Sequence, residues 1–429
     1  MRFEKLTLWV ALIACGCSGS PTSAPDGGAT LCGNGVTDLG EACDGDSMAC
    51  TTLGGSWSAG MAECRTSCAG WDVSACTLGT PGNTEVVEPA VRDPMRWAQA
   101  RCNDGTPFGF RISLAATPSP VWVIQLEGGG WCDDATRPCS EREAWLTTNL
   151  PAPDRATGLL VTHGILSRDD TGNPTFADAN HVLAHYCSSD FWHGATTELR
   201  PSAVSPGGWY YSGRANVRAM FEVLAQRYGL DDQDPALQVL FGGNSAGAHG
   251  AQFNSAFVAQ ALPNAREAGR LKLLLDAPWF LDWDNPAHRI ENATVRDREV
   301  WRNARAYWGA TGDPDCEASV ADPIDCWFGA TWYPFVSARQ PTFVQIAQLD
   351  SVIGLEIHPT LGMDAAAVGA WRAQLRATTA SVTWLFSGAG PYHVLTLSDP
   401  GWAMGPAGST LQEMASRFFD DGPPERVTF

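Results

Sequence analysis

Runs of consecutive apolar residues alternate along the chain with stretches in which apolar residues recur every three or four positions. The first kind predicts strands at Gly109–Leu114, Val121–Leu126, Val182–Tyr186, Leu237–Phe241, Leu271–Leu275, Thr342–Ala347 and Val382–Phe386. Several of these are apolar at successive positions, as strands covered on both faces should be. The second kind is clearest in Arg214–Tyr228, where Val217, Met220, Phe221, Leu224 and Tyr228 fall on one helical face. Ala365–Thr378 has the same spacing. Strands alternating with helices predict an α/β fold: a mostly parallel sheet with helices on both faces. Between residues 279 and 340 the rhythm breaks, with many aromatics and with Pro286, Pro314, Pro323 and Pro334. This stretch is expected to form irregular or helical inserts over the carboxyl edge of the sheet, where α/β proteins keep their sites. Its aromatics would stack on sugar, pack an acyl chain or fill the core.

The amino-terminal side follows a different pattern. The apolar run Leu6–Ala14 follows Arg2 and Lys5; it is too short to span a bilayer and fits the hydrophobic part of a signal peptide. Leu12-Ile13-Ala14-Cys15 resembles a bacterial lipoprotein box. Residues 1–15 are therefore expected to direct export, with membrane attachment through a lipidated Cys15, and 16–31 to serve as a tether. A plain signal peptide is the simpler alternative. In either case the protein is extracytoplasmic, secreted or held at a bacterial cell envelope.

Export makes the cysteines structural. Apart from Cys15 and Cys17, twelve remain in two sets of six. Cys32, Cys43, Cys50, Cys64, Cys68 and Cys76 lie in a segment, 32–76, too poor in core-forming side chains to fold without staples. About fifteen pairings are open to it. Asp38, Glu41, Asp44 and Asp46 raise calcium as a rival use of this segment, although their order is not that of an EF-hand. In the second set, local spacing favours Cys132 with Cys139 and Cys316 with Cys326, which leaves Cys102 for Cys187. A linker at 77–88 would join the Cys-rich module to a catalytic domain at 89–429.

Composition narrows the partners. A chain of 429 residues with 44% hydrophobic content and 18 tryptophans can bury a large core, and a net charge of −19 argues against nucleic acid or an anionic membrane surface. There is no His-Glu-x-x-His string and no Gly-x-Gly-x-x-Gly after a strand, so neither zinc hydrolysis nor dinucleotide chemistry is expected, and no cofactor is called for.

The candidate chemistry begins at Gly243-Asn244-Ser245-Ala246-Gly247, between a predicted strand and a helix-compatible stretch. A serine on so sharp a turn needs small residues two before and two after it, and its hydroxyl is lifted clear of the sheet as a nucleophile. The N–H of Ala246 then lies at a helix N-terminus, ready to donate to an oxyanion. A second signal is Gly128-Gly129-Gly130 after the strand Val121–Leu126. Bare glycine backbone there lets the N–H groups of Gly129 and Gly130 complete an oxyanion hole.

Together, "LEGGGWC", "GNSAG", "RCNDGTPFGF" (101–110) and "HYCSSDFWHG" (185–194) resemble the pectin acetylesterase and Notum family of carboxylesterases, from about Pro89 to the C-terminus. The resemblance implies an α/β-hydrolase fold and hydrolysis of an ester, with an acylated carbohydrate or another ester as substrate. The family's cysteine pattern agrees with Cys132–Cys139 and Cys102–Cys187. One departure stands out: the family usually continues its elbow with a second glycine and no histidine, and this chain has Ala248-His249. Separately, "LCGNGVTDLGEACDGDSMACTTLGG" resembles Cys-rich repeats at the N-termini of exported myxobacterial proteins, which implies a stalk or spacer.

A serine nucleophile needs a base and an orienting carboxylate, in the chain order Ser, acid, His. Downstream histidines are His249, His288, His358 and His393. His393 follows a late strand and the loop 387–391, which makes it the expected base; His249 sits one turn beyond Ser245 on the same helix. Asp350, after strand Thr342–Ala347 and in "QLDSVI", resembles the family's acidic position; Asp276, at the end of Leu271–Leu275, is its rival. The expected activity is hydrolysis of an O-acyl ester, O-acetyl on polysaccharide first. A deacylase of longer chains and an inactive carbohydrate-binding surface protein are the alternatives.

Overall fold

The computed structural model describes residues 32–37, 41–52, 57–68, 70–73, 75–78, 85–134, 136–150, 163–201 and 207–429. The expected signal peptide, Cys15 and the tether lie outside them, as does Asp38. Three bridges close the Cys-rich segment: Cys32–Cys68, Cys43–Cys64 and Cys50–Cys76. They staple two scraps of antiparallel sheet, one of β1 (Ser47–Ala49), β3 (Met61–Cys64) and β4 (Trp71–Asp72), the other of β2 (Trp57–Ala59) and β5 (Thr77–Leu78). The segment does not stand apart from the body. Trp71 and Ala62 share a core with the larger sheet's helices, and Arg65 forms an ion pair with Asp231. The Asp44 carboxylate accepts hydrogen bonds from the N–H groups of Gly33, Asn34 and Gly35, so its oxygens serve the chain's own turn.

Among the described residues, the body is built on a sheet of nine strands. In chain order they are β6 (Glu85–Val87), β7 (Phe110–Ser113), β8 (Val121–Leu126), β9 (Asn180–Ala184), β10 (Gln238–Asn244), β11 (Leu271–Asp276), β12 (Thr342–Gln345), β13 (Trp384–Ser387) and β14 (Arg426–Thr428). Their spatial order is β14-β13-β12-β11-β10-β8-β9-β7-β6. All neighbours from β9 through β14 run parallel, while β6 and β7 add an antiparallel edge. β6 falls inside the stretch 77–88 that composition marks as a linker. Alternation along the strands explains the two-sided burial. Val123, Leu183, Leu240 and Leu274 join one core with the helix Leu411–Phe419, and Ile124, Val182, Val239 and Phe241 join the other.

The strand boundaries depart from the apolar runs where backbone geometry takes over. β9 starts and ends two residues earlier than the run Val182–Tyr186 predicts. Its polar start is satisfied at the sheet margin: Asn180 accepts from Ala115 N–H and donates to Ser119 O. At the other end, Tyr186 N–H is taken by the Glu127 carboxylate rather than by a neighbouring strand. β10 runs on past Phe241 through Gly242 and Gly243, because only glycine fits there. A Cβ at Gly242 would collide with Leu274 O, and one at Gly243 would come within 2.5 Å of Gly247.

Helix α1 (Gly213–Arg227) buries Val217, Met220, Phe221 and Leu224, with Tyr228 just beyond its end. α2 (Ala246–Ala261) follows β10 directly. Between residues 279 and 340 the chain folds as helices, including α3 (Asp297–Tyr307) and α4 (Gly329–Arg339), closed by the Cys316–Cys326 bridge. Trp279, Trp301, Trp308, Trp327 and Trp332 are all buried, which makes them core; of the aromatics in this stretch, Phe280 reaches the cavity described below. Among the described residues no helix is long and apolar enough to cross a membrane.

Candidate active site

Ser245 stands where β10 turns into α2, and the turn is strained: its φ of 52° and ψ of −122° are unusual for a residue with a side chain. Two constraints hold the turn. Ser245 N–H donates to Asp276 O at 2.8 Å, and a Cβ at Gly247 would collide with Leu126 O. Strand β8 and helix α2 therefore approach as closely as bare backbone allows. This is the physical reason for the small residues flanking the serine.

Directly after β8, Gly128 N–H donates to Asn244 Oδ1 at 3.0 Å, which moors the glycine loop beside the serine. Gly129 has φ 142° and Gly130 φ 68°, values that a side chain would disfavour. Both carbonyls are held from outside. Arg142 Nη1 donates to Gly129 O, and Tyr186 Oη donates to Gly130 O at 2.9 Å. Among the described residues, no group accepts from the N–H of Gly129, Gly130 or Ala246. The loop is anchored further on by the Cys132–Cys139 bridge, by Cys132 N–H on Ser189 O and by Trp308 Nε1 on Cys132 O. Cys102–Cys187 completes the second set of bridges in the pairing that spacing favours.

Glu127, half-buried at the start of the loop, takes part in the same scaffold. It accepts from His185 Nδ1 and Tyr186 N–H, each at 3.1 Å, and pairs with Arg111. Burial alone would raise its pKa, but His185 and Arg111 outweigh it and hold the carboxyl below its usual range.

Asp350 and His393 meet at the carboxyl ends of β12 and β13. His393 Nδ1 lies 2.7 Å and 2.9 Å from the two Asp350 oxygens. Asp350 Oδ1 also accepts from Val352 and Ile353 N–H at 2.8 Å, capping the π-helical turn Ser351–Glu356. Burial pulls the His393 pKa down, yet the bond to Asp350 and the negative charges of Asp350, Asp276 and Glu356 prevail, and it is raised. His393 Nε2 is buried without a hydrogen bond, and none joins it to Ser245. Catalytic hydrogen bonds are often long without substrate.

Ser245, His393, Gly129 and Gly130 line one cavity of about 500 Å³, together with His249 and Phe280. The rival residues are placed elsewhere or differently. The Asp276 carboxylate accepts from Leu395 N–H, Thr396 N–H and Thr396 Oγ1, just beyond His393. His288 binds Thr360 and Asp364, and His358 pairs with Asp297; neither lines the cavity. His249 does line it. Arg142, Tyr186 and Glu127 are additions that sequence patterns do not single out. Glu127 and Tyr186 lie inside strings that carry the family resemblance, but Arg142 has no local signal.

A model of the family described as pectinacetylesterase matches residues 84–379. The palmitoleoyl-protein carboxylesterase NOTUM of Drosophila melanogaster is 32% identical over 57% of this chain and 35% of its own length. Its human counterpart is 30% identical over 57% of this chain and 47% of its own. The matched stretch thus spans less than half the length of these relatives. A structure of the Wnt deacylase Notum from Drosophila superposes with a TM-score of 0.68, covering 81% of this chain and 96% of that one. At 23% identity the likeness is one of fold: an α/β-hydrolase sheet with helices and disulfides.

Proposed function

Because the chain belongs to the pectinacetylesterase family, as its match over residues 84–379 shows, we propose that it is a serine carboxylesterase that removes O-acyl groups, acetyl foremost, from a polysaccharide. In this reading Ser245 is the nucleophile, His393 its base and Asp350 the group that orients the imidazole. The observation that carries it is one cavity lined by a strained Ser245, by Gly129 and Gly130, whose N–H groups have no acceptor among the described residues, and by His393, which Asp350 holds at 2.7 Å.

The chemistry follows from these roles. His393 Nε2 takes the hydroxyl proton as Ser245 Oγ bonds to the ester carbonyl carbon, and Asp350 stabilises the resulting imidazolium. The N–H groups of Gly129, Gly130 and Ala246 hold the oxyanion. The carbon–oxygen bond to the alcohol then breaks, His393 returns the proton to the departing alcohol, and an acyl-serine remains. Water attacks it by the same proton route, releasing the acid and restoring Ser245.

The names of the animal relatives favour a second reading, a deacylase of longer acyl chains. The two share their chemistry and differ in the acyl cavity. Export, with lipidation at Cys15 and the 32–76 segment as a spacer ahead of the catalytic domain, belongs to the same proposal and is supported by the bridged cysteines. Labelling by a fluorophosphonate probe tests the core of the reading. Wild-type protein should label and Ser245→Ala should not; a variant that labels like wild type removes Ser245 as nucleophile. Protein that neither labels nor turns over any ester would instead be a binding protein on a hydrolase scaffold.

A further inference from the structure

Depth divides the lining of the cavity around Ser245. Phe191, Phe280, Ile353 and Ile357 are each 5% exposed or less and make its buried, apolar part. Arg137, Trp145 and Glu356 make its open rim, with Trp145 45% exposed and the Glu356 side chain 55%. Arg137 comes from the loop closed by Cys132–Cys139, and Glu356 ends the π-helical turn that Asp350 caps. Trp145 lies in the 3₁₀ turn Ala144–Leu146, and its indole N–H donates to the Glu143 carboxylate. The ring edge is thereby held while its face stays open.

The other charged and amide side chains of the wall already have tasks. Glu127 serves His185 and Tyr186, Asn244 holds Gly128 N–H, and Arg142 grips Gly129 O and Ser189 Oγ. Arg137 is only partly engaged. Its Nη2 donates to Glu356 Oε1 at 3.1 Å, and its guanidinium lies over the Trp131 ring, 4.5 Å from the centroid. Its Nε and Nη1 have no hydrogen-bond partner among the described residues, and both are open to solvent. Nη1 stands beside Gly130, 3.4 Å from where a Cβ there would lie, so a free donor borders the oxyanion loop. Stability does not account for this placement, because an ion pair so exposed is worth about 0–1 kcal/mol. A neighbouring cavity of about 170 Å³ shares Trp131, Arg137 and Arg142 with the first and adds Glu141, Glu291 and Asn292. Polar surface therefore continues past the ion pair.

We propose that Arg137 and Glu356 are the specificity-determining pair for the alcohol side of the ester, taking adjacent hydroxyls of an uncharged pyranose, with the open face of Trp145 as its stacking wall. The inference rests on the serine-esterase reading and deepens it by naming the substrate's sugar class. The acyl group is small and apolar and enters the buried part of the cavity. The alcohol is one unit of a polymer whose chain has to continue on both sides, so its ring lies at the open rim. There Arg137 donates to one hydroxyl oxygen through Nε or Nη1, and Glu356 accepts from the next. The apolar face of the ring covers the indole of Trp145. Charge selects a neutral ring. The positive charge of Arg137 is matched by Glu356, Arg142 is turned to Gly129 O, and Glu141 and Glu291 border the extension, where they would repel a uronate carboxylate.

The test compares kcat/KM for mono-O-acetylated methyl galactopyranosides with that for cyclohexyl acetate, which carries the same acyl group on a ring without hydroxyls. Wild type, Arg137→Met and Glu356→Ala are measured per active site labelled by fluorophosphonate. The pH is set above the acid limb of His393, so that the charge of Glu356 on that histidine does not enter. The pyranoside-to-cyclohexyl ratio should fall about tenfold or more in each variant, the size of a lost hydrogen bond to a charged group. Glu356 lies on the rim, so its variant serves even if Arg137→Met disturbs the disulfide loop. A ratio within about twofold of wild type in labelled Glu356→Ala overturns the proposal, including the case in which both esters lose activity together, the mark of a structural pair. A wild type that prefers the acetylated methyl galactopyranosiduronate to the neutral galactopyranoside also overturns it. Wild-type protein that fails to label overturns the esterase reading beneath it, which is a distinguishable result.

Discussion

Ser245 and Asp276 are joined backbone to backbone, with the serine N–H donating to the aspartate carbonyl at 2.8 Å. The side chain of the same aspartate reaches the other catalytic segment. Its Oδ2 accepts from Leu395 and Thr396 N–H, both at 2.8 Å, and from the Thr396 hydroxyl at 2.7 Å. One residue at the end of β11 therefore sets the distance between the elbow and the chain just beyond His393. The rival acid in the sequence has a structural task of its own.

Stability should carry the mark of Asp276. Burial raises its pKa from 3.8 to about 6, against the hydrogen bonds from Thr396 and Leu395. Between those values the folded chain holds a proton that the unfolded chain has released. Its contribution is thus fully present below pH 3.8 and is lost as pH rises through 6, a loss of about 3 kcal/mol at 1.36 kcal/mol per unit. Asp276→Asn keeps an acceptor for the three donors and removes the ionisation. In urea unfolding the variant should gain on wild type as pH rises from 4 to 7. Parallel curves across that range would mean Asp276 does not titrate there.

Activity should show a second pH signature, from His393. The base must be neutral to accept the serine proton, and although burial opposes protonation, Asp350, Asp276 and Glu356 raise its pKa above 6.5. The acid limb of kcat/KM should accordingly fall above pH 6.5. Asp350→Asn removes the strongest raising influence, so the limb should move to lower pH while kcat drops by about 10³–10⁴-fold. A limb that stays in place with Asp350 removed would assign it to another group.

The elbow and the glycine loop are legible in the sequence because their constraints are steric and local: a serine at φ 52° needs bare backbone at Gly243 and Gly247 within two residues on either side. β8 is legible to the residue because all its positions are apolar or sheet-covered, whereas β9 shifts by two because Asn180 and His181 are buried polar residues that hydrophobicity misreads. The choice of Asp350 over Asp276 is legible only through the family resemblance of "QLDSVI", and not from the apolar pattern. Asp276 ends β11 and Asp350 lies in the segment after β12, and the path of the chain after β13 decides which of them meets Nδ1 of His393. Arg142 is hidden for the same reason, since its target carbonyl is thirteen residues away across a disulfide loop.

The close approach at the elbow gives a stability prediction. A Cβ at Gly247 would run into Leu126 O, and backbone on both sides leaves no flexible side chain to yield. Gly247→Ala should cost about 3 kcal/mol of stability, the upper end for overpacking, and should lose fluorophosphonate labelling with it. Thermal unfolding of the purified variant checks the first, and gel fluorescence the second. A variant that melts like wild type would show that β8 and α2 are less tightly apposed than this contact demands.

Arg142 makes the most specific prediction about catalysis. Its Nη1 donates to Gly129 O, its Nε donates to Ser189 Oγ at 3.1 Å, and the guanidinium is buried beside the Tyr186 ring. The Gly129 carbonyl and the Gly130 N–H belong to one planar trans peptide, so a group that grips the oxygen from outside also aims the N–H. A cation on that oxygen further polarises the amide, strengthening the donor when charge develops on the substrate. Lysine cannot hold Gly129 O and Ser189 Oγ at once, because it is a point charge rather than a planar fork. Arg142→Lys and Arg142→Met should therefore lower kcat by about 10²-fold while KM stays within about threefold, as loss of an oxyanion donor does. A trifluoromethyl ketone that forms a hemiketal with Ser245 should weaken by the same factor as kcat/KM, since both depend on the oxyanion. A rise in KM at unchanged kcat would instead make Arg142 a group that binds ground-state substrate through its unpartnered Nη2.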